Sequence, residues 1–160
     1  MKPRMTSAVL TIPGVLEGLQ AVSKAATDAG KRAGLTQNLI ELVNLRASQI
    51  NGCAVCLDMH TRALRKAGES DERLATVAAW RETPYFSEAE RAALALAEAA
   101  TRLSDRANPV PDEIWNEAAQ HFELPALAAL VVTIATINTW NRLNVTTGQI
   151  TGEWTAQWVA

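Results

Sequence analysis

Apolar residues recur along most of this chain with the 3.6-residue period of an amphipathic helix, and this periodicity constrains the fold more than any other feature. In residues 13–28, for example, Val15, Leu19 and Val22 fall on one helical face. Alternating apolar and polar runs bounded by turns, which would indicate β-strands, are missing from the sequence. The pattern therefore predicts an all-α bundle of six or seven helices, with residues 1–160 in a single domain.

Start and stop signals divide the chain into individual helices. The expected helices cover residues 13–28 with a stop at Gly30, 37–50 after a Thr36 cap, 53–67 before Gly68, 72–80 after a Ser70 or Asp71 cap, 88–103 after a capping box of Ser87 and Glu90, 111 or 112 to 121 or 122, and 123–143. Residues 148–160 are expected to form a looser tail, with Trp154 and Trp158 on one helical face.

Composition and charge exclude several classes of protein. Hydrophobic residues make up 48% and charged residues 20% of the chain, which is typical of a folded globular protein and not of a disordered one. The formal net charge is −2 with both signs interspersed, so no nucleic-acid partner is expected. The longest nearly apolar stretch, residues 124–137, is shorter than the ~20 residues that span a bilayer, so no membrane association is expected. Thr11, Pro13 and Glu17 interrupt any signal-peptide core, and we expect a cytoplasmic protein.

Reactive side chains are concentrated in one short region. The two cysteines of the chain, Cys53 and Cys56, stand three positions apart at the expected start of a helix, and His60 follows Cys56 at i+4 on the same face. The free N–H groups and the dipole at a helix start favour a thiolate. A break at Gly52 lets the preceding helix fold back, so the Glu41 carboxylate could orient His60. We therefore hypothesise thiol redox chemistry, in which an oxidised sulfur condenses with the second thiol to form a disulfide.

Several alternative roles for these residues stay open at the level of sequence. The two cysteines could be small core residues, or two thiolates, an imidazole and a carboxylate could bind zinc. The cysteines could also serve a redox sensor or a disulfide reductase without sustained peroxidase turnover. Leu57 after Cys56 excludes the c-type haem motif, and the absence of a preceding strand disfavours a thioredoxin fold. The helix-start argument also allows either sulfur to react first.

A second group of polar residues lies beside an apolar run near the end of the last long helix. It comprises Asn138, Trp140, Asn141 and Arg142. These residues could line a pocket or form hydrogen bonds between helices, and the second interpretation is favoured.

The arrangement of Glu41, Cys53-Ala-Val-Cys56 and His60 resembles the AhpD-like alkylhydroperoxidase core of the carboxymuconolactone decarboxylase family. Three neighbouring sequence segments are also similar to that family: Leu-Arg-Ala-Ser-Gln-Ile-Asn-Gly before Cys53, Met-His-Thr around His60 and Ala-Trp-Arg ending at Arg81. The resemblance covers roughly residues 15–145. It implies an AhpD-like helical fold, assembly as a homotrimer or homohexamer, and peroxidase and disulfide reductase activity. We expect no metal or organic cofactor.

The same resemblance implies a role for each site residue. Cys56 is similar to the sulfur that becomes a sulfenic acid, Cys53 to the proton donor and the partner that later forms mixed disulfides, and Glu41 and His60 to a proton relay. The decarboxylases of this family lack the cysteine pair, so both thiols argue against lactone decarboxylation. The implied substrates are a hydroperoxide and an external dithiol, carried by a lipoylated or a thioredoxin-like protein.

Overall fold

The computed structural model describes residues 1–105 and 107–157, and within them it contains helices and turns but no β-strand. The α-helices are α1 (Ala8–Thr11), α2 (Val15–Arg32), α3 (Gln37–Asn51), α4 (Ala54–Lys66), α5 (Asp71–Thr76), α6 (Glu88–Thr101), α7 (Asp112–His121), α8 (Leu124–Thr147) and α9 (Glu153–Ala156), and a 3₁₀ segment (Val77–Glu82) follows α5. The predicted all-α class is confirmed. More helices are present than the six or seven expected, because short helical turns occur near both termini.

The long helix α8 packs against α2, α3, α4 and α6 and forms the centre of the bundle. The largest apolar cluster joins α3, α6, α7 and α8, and its fully buried members include Ile40, Val43, Ala93, Ala118 and Leu130. Burial of one such Leu or Ile contributes about 1.5–3 kcal/mol. Contact with the surrounding helices, more than local helix propensity, therefore holds α8 in place.

Three helix starts predicted from the sequence are confirmed. Thr36 Oγ1 accepts a backbone N–H from the first turn of α3 at 3.1 Å, and Ser70 Oγ does the same for α5 at 3.2 Å. At the start of α6, Glu90 N–H donates to Ser87 Oγ at 3.3 Å, and Ser87 N–H donates to Glu90 Oε2 at 2.8 Å. These bonds satisfy backbone donors that have no partner inside their own helix.

The expected end of α2 at Gly30 was wrong, because that helix continues to Arg32. Gly30 is buried, and a Cβ added there would lie 2.9 Å from Leu35 Cδ1. The glycine therefore serves close packing against the next turn. The chain leaves the helix at Gly34, whose φ of +93° is readily adopted only by glycine.

The single helix expected over residues 72–80 is also wrong, because α5 ends at Thr76 and the 3₁₀ segment follows. Ala79, inside the 3₁₀ segment, has non-helical angles, φ −119° and ψ 30°, which mark a kink there. Beyond the kink, the buried Trp80 donates its indole N–H to Glu98 Oε1 at 3.0 Å. The kink is thus accompanied by a contact between Trp80 and Glu98 of α6, which are remote in sequence. Sequence periodicity does not reveal such a contact.

Two further helix ends are corrected. The last long helix reaches Thr147 instead of residue 143, and α6 ends at Thr101 instead of residue 103. The apolar stretch of residues 124–137 is thus only part of a 24-residue helix, which is long and apolar enough to cross a membrane by length and composition. In the most apolar 18-residue stretch of this helix, 56% is buried inside the fold, and this burial explains why the helix is so apolar. In the tail, Trp154 lies in α9, whereas Trp158 lies outside the described residues.

The N-terminal segment lies against the C-terminal end of α8. Arg4 donates its backbone N–H to Thr147 O at 2.9 Å and a guanidinium N–H to Thr146 O at 2.6 Å, and Gln149 Nε2 donates to Met5 O at 3.0 Å. These contacts place residues 2–7 along one side of the cavity that contains the candidate site.

Candidate active site

The two cysteines lie at the sharp turn between α3 and α4. Gly52 ends α3 with φ +66° and ψ 33°, and Cys53 is the N-cap residue of α4. The chain changes direction here, and Cys53 N–H donates back to Ser48 O at 3.1 Å, which stabilises the turn. Both thiols are free and buried, with Cys53 1% and Cys56 3% exposed, and their Sγ atoms are 2.7 Å apart. The structure thus brings the two predicted redox sulfurs into direct contact.

The two sulfurs have opposite electrostatic environments. The pKa of Cys53 is lowered from 9.0 to about 6, chiefly by the hydrogen bond with the Cys56 thiol and further by the backbone N–H of Cys56, while burial opposes the shift. That backbone N–H lies 3.4 Å from Cys53 Sγ. The pKa of Cys56 is raised by the same thiol hydrogen bond and by burial. The first proton lost from the pair therefore comes from Cys53, and Cys56 keeps its own proton.

Glu41 and His60 form a second pair on facing helices. His60 Nδ1 lies 2.7 Å from Glu41 Oε2, and both side chains are largely buried. Gln37 Nε2 donates to the other carboxylate oxygen of Glu41 at 2.6 Å. An ionised carboxylate only accepts hydrogen bonds, so the Nδ1 atom carries a proton. Glu41 therefore orients the imidazole and fixes which of its nitrogens is protonated.

One cavity of about 800 Å³ connects three of the four predicted site residues. Glu41, Cys56 and His60 line it, whereas Cys53 does not. The spacing predicted that His60 and Cys56 share one helical face, but among the hydrogen bonds of residues 1–105 and 107–157 none joins His60 to a sulfur. A water molecule or a bound substrate in the cavity would have to bridge the two groups.

The walls of this cavity are mainly apolar. They are formed by side chains from α1, α2, α4 and α8 and by the N-terminal segment, including Val9, Leu10, Leu16, Val55, Met59, Ile137 and Trp140. The volume lies within the range of small-molecule sites and is much larger than hydrogen peroxide needs. The cavity therefore has room for an apolar organic molecule beside Cys56.

Asn138 and Asn141 join α8 to two other helices: Asn138 Nδ2 donates to Thr101 Oγ1 of α6 at 3.0 Å, and the remaining bonds between helices reach α3. Asn51 Nδ2 donates to Asn138 Oδ1 at 2.8 Å and to Asn141 Oδ1 at 2.9 Å, while Asn141 Nδ2 donates to Ser48 Oγ at 3.1 Å. The interpretation of Asn138 and Asn141 as residues that hydrogen-bond between helices is confirmed. A third asparagine one turn further, Asn144, was not predicted from the sequence. The regular three-residue spacing along α8 is the signal that could have found it.

The described residues offer no cluster of three or more His, Cys, Asp or Glu side chains arranged to hold a metal ion. The two thiols interact with each other, and the imidazole interacts with the carboxylate. The zinc alternative therefore receives no support from the geometry.

Comparison with known proteins identifies the family. A sequence profile of the carboxymuconolactone decarboxylase family matches residues 13–99. The uncharacterized protein YdfG of Bacillus subtilis is 38% identical over 118 residues, which are 74% of this chain and 79% of YdfG. The chain belongs to the carboxymuconolactone decarboxylase family.

Relatives within the family connect it to AhpD. The uncharacterized Escherichia coli protein YnjA is 35% identical over 114 residues, which are 71% of this chain and 61% of YnjA. The alkyl hydroperoxide reductase AhpD of Bradyrhizobium diazoefficiens is 44% identical over 43 residues, which are 27% of this chain and 24% of that enzyme. The similarity to this reductase is thus confined to a short region.

Solved structures show that the whole fold is AhpD-like. The Agrobacterium tumefaciens protein ATU0492, of unknown function and suggested to be the antioxidant defence protein AhpD, superposes with a TM-score of 0.83 at 32% identity and covers 94% of this chain and 99% of its own. A variant of the debrominase Bmp8 in complex with 2,3,4-tribromopyrrole gives a TM-score of 0.79 at 17% identity over 95% of this chain and 80% of Bmp8. This second likeness concerns the fold alone, because one fold can carry different chemistries.

Proposed function

We propose that this protein reduces organic hydroperoxides with Cys53 and Cys56 as the redox pair and with Glu41 and His60 as a proton relay. The observation that carries the proposal is the contact of two free thiols, 2.7 Å apart, at the start of α4. One of these sulfurs lines an apolar cavity together with the carboxylate–imidazole pair. Membership of an enzyme family with AhpD-like relatives supports an oxidoreductase, and the cysteine pair favours peroxide reduction over decarboxylation.

The first half of the reaction takes place at Cys56, because this sulfur lines the cavity. Transfer of the proton in the hydrogen bond from Cys56 to Cys53 leaves a thiolate on Cys56. The thiolate attacks the distal oxygen of the hydroperoxide, so an S–O bond forms and the O–O bond breaks. The leaving alkoxide takes a proton delivered through His60 and departs as an alcohol. Cys56 has then lost two electrons and is a sulfenic acid.

The second half closes the disulfide. Cys53 gives up its proton and attacks the Cys56 sulfur, so that an S–S bond forms and the S–O bond breaks, and the hydroxyl of the sulfenic acid leaves as water with that proton. An external dithiol then reduces the disulfide and is itself oxidised to a disulfide, which restores both thiols. The sum converts one hydroperoxide and one dithiol into an alcohol, water and one disulfide. No step requires a metal or an organic cofactor, and we place the cycle in the cytoplasm, where thiols are kept reduced.

Burial of the sulfurs restricts the physical form of the reductant. Cys53 is 1% and Cys56 3% exposed, and of the two only Cys56 lines the cavity, so a disulfide between them would be almost inaccessible from the outer surface. A dithiol on a slender arm, such as a lipoyl group, can enter a cavity of about 800 Å³. A globular thioredoxin-like protein would reach the sulfurs only if the walls moved. We therefore propose a lipoylated protein as the electron donor.

The test is to locate the sulfenic acid in single cysteine variants. The chain has two cysteines, so the double variant Cys53→Ser/Cys56→Ser is a blank without thiols. With one equivalent of cumene hydroperoxide, we expect the wild type to lose both thiols as a disulfide. We expect Cys53→Ser to accumulate a sulfenic acid on Cys56 that dimedone traps, as measured by intact mass. Both single variants should lose turnover with dihydrolipoamide.

Three results would contradict the proposal. An undiminished peroxide rate in Cys56→Ser would exclude the mechanism. Rapid disulfide formation in the wild type without turnover on any dithiol would indicate a redox sensor instead of an enzyme. Peroxide consumption without any modified thiol would show that the cysteine pair is not the reactive group.

A further inference from the structure

Asn144 brings an amide from α8 to the reactive sulfur. Its side-chain Nδ2 donates to Cys56 Sγ at 3.5 Å, across 88 positions of sequence. The residue is half-buried and lines the same cavity as Cys56. An amide N–H favours an anionic sulfur over a neutral thiol, because it places a positive dipole end against the charge.

The amides of Asn144 and Asn141 lower the pKa of both thiols, but the two sulfurs differ in the donors that lie within hydrogen-bonding distance. Cys53 Sγ accepts the backbone N–H of Cys56 at 3.4 Å. Among the hydrogen bonds of the described residues, Cys56 Sγ has two partners, the Cys53 thiol and the Asn144 amide. The backbone N–H therefore favours negative charge on Cys53, which does not line the cavity. Asn144 is the additional donor to Cys56, which does line it.

The position of Asn144 is fixed by the rest of the asparagine group. Asn51 at the end of α3 donates to Asn138 and to Asn141. These two residues lie two turns and one turn, respectively, before Asn144 on α8. Beyond Asn144, the backbone of Arg4 holds the carbonyl of Thr147 at the end of the helix. The amide thus belongs to a helix fixed on both sides of it, which is what a preorganised donor requires.

We propose that Asn144 is a catalytic residue that stabilises negative charge on Cys56 Sγ and moves the shared proton to Cys53, so that the cavity-facing sulfur is the nucleophile. This inference rests on the proposed function, because it explains how the reaction begins at Cys56 although Cys53 is the more acidic thiol. No atoms are gained or lost in this step, since a proton moves between two sulfurs already in contact.

The test measures Cys56 by itself. In a Cys53→Ser background, Cys56 is the one remaining thiol, and its alkylation by iodoacetamide reports the thiolate without any hydroperoxide. Other titratable or charged groups on this cavity wall are Glu41, His60, Lys2 and Arg4, which stay unchanged in all variants.

Asn144→Leu keeps the size of the side chain and removes the donor. We expect alkylation at neutral pH to slow about tenfold, and its pH midpoint to rise, because a hydrogen bond to a charged group is lost. Asn144→Asp should slow alkylation further, because a carboxylate repels the thiolate. Thr139→Val on the exposed side of α8 is the matched control and should leave the rate unchanged.

The outcomes separate this inference from the proposed function. Unchanged alkylation in Asn144→Leu, or an equal rate in Asn144→Asp and its parent, would overturn the role of Asn144. A purely structural role would lower the melting temperature without a graded shift of the pH midpoint. A normal Asn144 effect on alkylation in a protein that reduces no hydroperoxide would instead contradict only the proposed function.

Discussion

His60 is held at 2.7 Å from Glu41 in a largely buried position, and its ring lines the cavity beside Cys56. We predict that His60→Ala lowers the second-order rate with cumene hydroperoxide about 10²-fold, because the alkoxide loses its proton donor. Stopped-flow measurement of the peroxide step would test this. The second histidine of the chain, His121, is exposed at the end of α7, so His121→Ala is the control. Equal rates in the two variants would make His60 a packing residue.

The predictability of single residues depended on whether their partners were near in sequence. Cys53 and Cys56 lie within one helical turn, so their spacing predicted the contact between them, and His60 lines the same cavity as Cys56 but contacts Glu41. Glu41 required the turn at Gly52, which was recognisable as a helix break. The three-residue spacing after Asn138 and Asn141 places Asn144 on the same face of α8, but its contact with Cys56 depends on how α8 crosses α4, which that spacing does not reveal.

At the scale of elements, the start of α4 combines a helix N-terminus with a neighbouring thiol. We predict that the first thiolate of the reduced protein forms with a pKa of about 6. Since the pKa is lowered, the thiolate should be present above that pH and should disappear as the pH falls through it. The ultraviolet absorbance of the thiolate, measured against Cys53→Ser/Cys56→Ser as blank, would show this step. A step centred near the ordinary value of 9.0 would contradict the prediction.

Elements were predicted best where local chemistry decides their ends. Thr36, Ser70 and Ser87 cap their helices as expected, because a cap involves residues within one turn. The kink after α5 was not predicted, since the contact between Trp80 and Glu98 is set by packing. The extension of α8 beyond residue 143 was missed for a related reason. The last turns are polar and resemble a loop, but they find partners remote in sequence, such as the backbone N–H of Arg4, which donates to Thr147 O at 2.9 Å.

At the scale of the whole molecule, the outer face of α8 leaves apolar side chains in contact with solvent. Leu124 is 76% exposed, and Val131 and Val132 are each 41% exposed. Exposed apolar side chains that recur along one helix are typical of an interface between subunits. The homotrimer or homohexamer expected from the sequence remains a proposal, and we propose this face as its contact surface.

We predict that Val131→Glu/Val132→Glu shifts the protein toward the mass of one chain in light scattering, because two charges would have to be buried without partners. Leu103→Glu, an exposed apolar position just after α6, is the control and should keep the parent mass. A double variant with an unchanged assembly would place the interface elsewhere, and a monomeric parent protein would reject the oligomer.

Trp140, which donates its indole N–H to Ser23 Oγ at 3.2 Å, lines the same cavity as Cys56. A ligand entering there displaces solvent from the indole ring, so the fluorescence of this tryptophan can report occupancy. Trp154 also lines the cavity and would contribute to the same signal. The protein thereby contains its own optical probe, and candidate substrates can be ranked by binding without a label and without waiting for the electron donor to be identified.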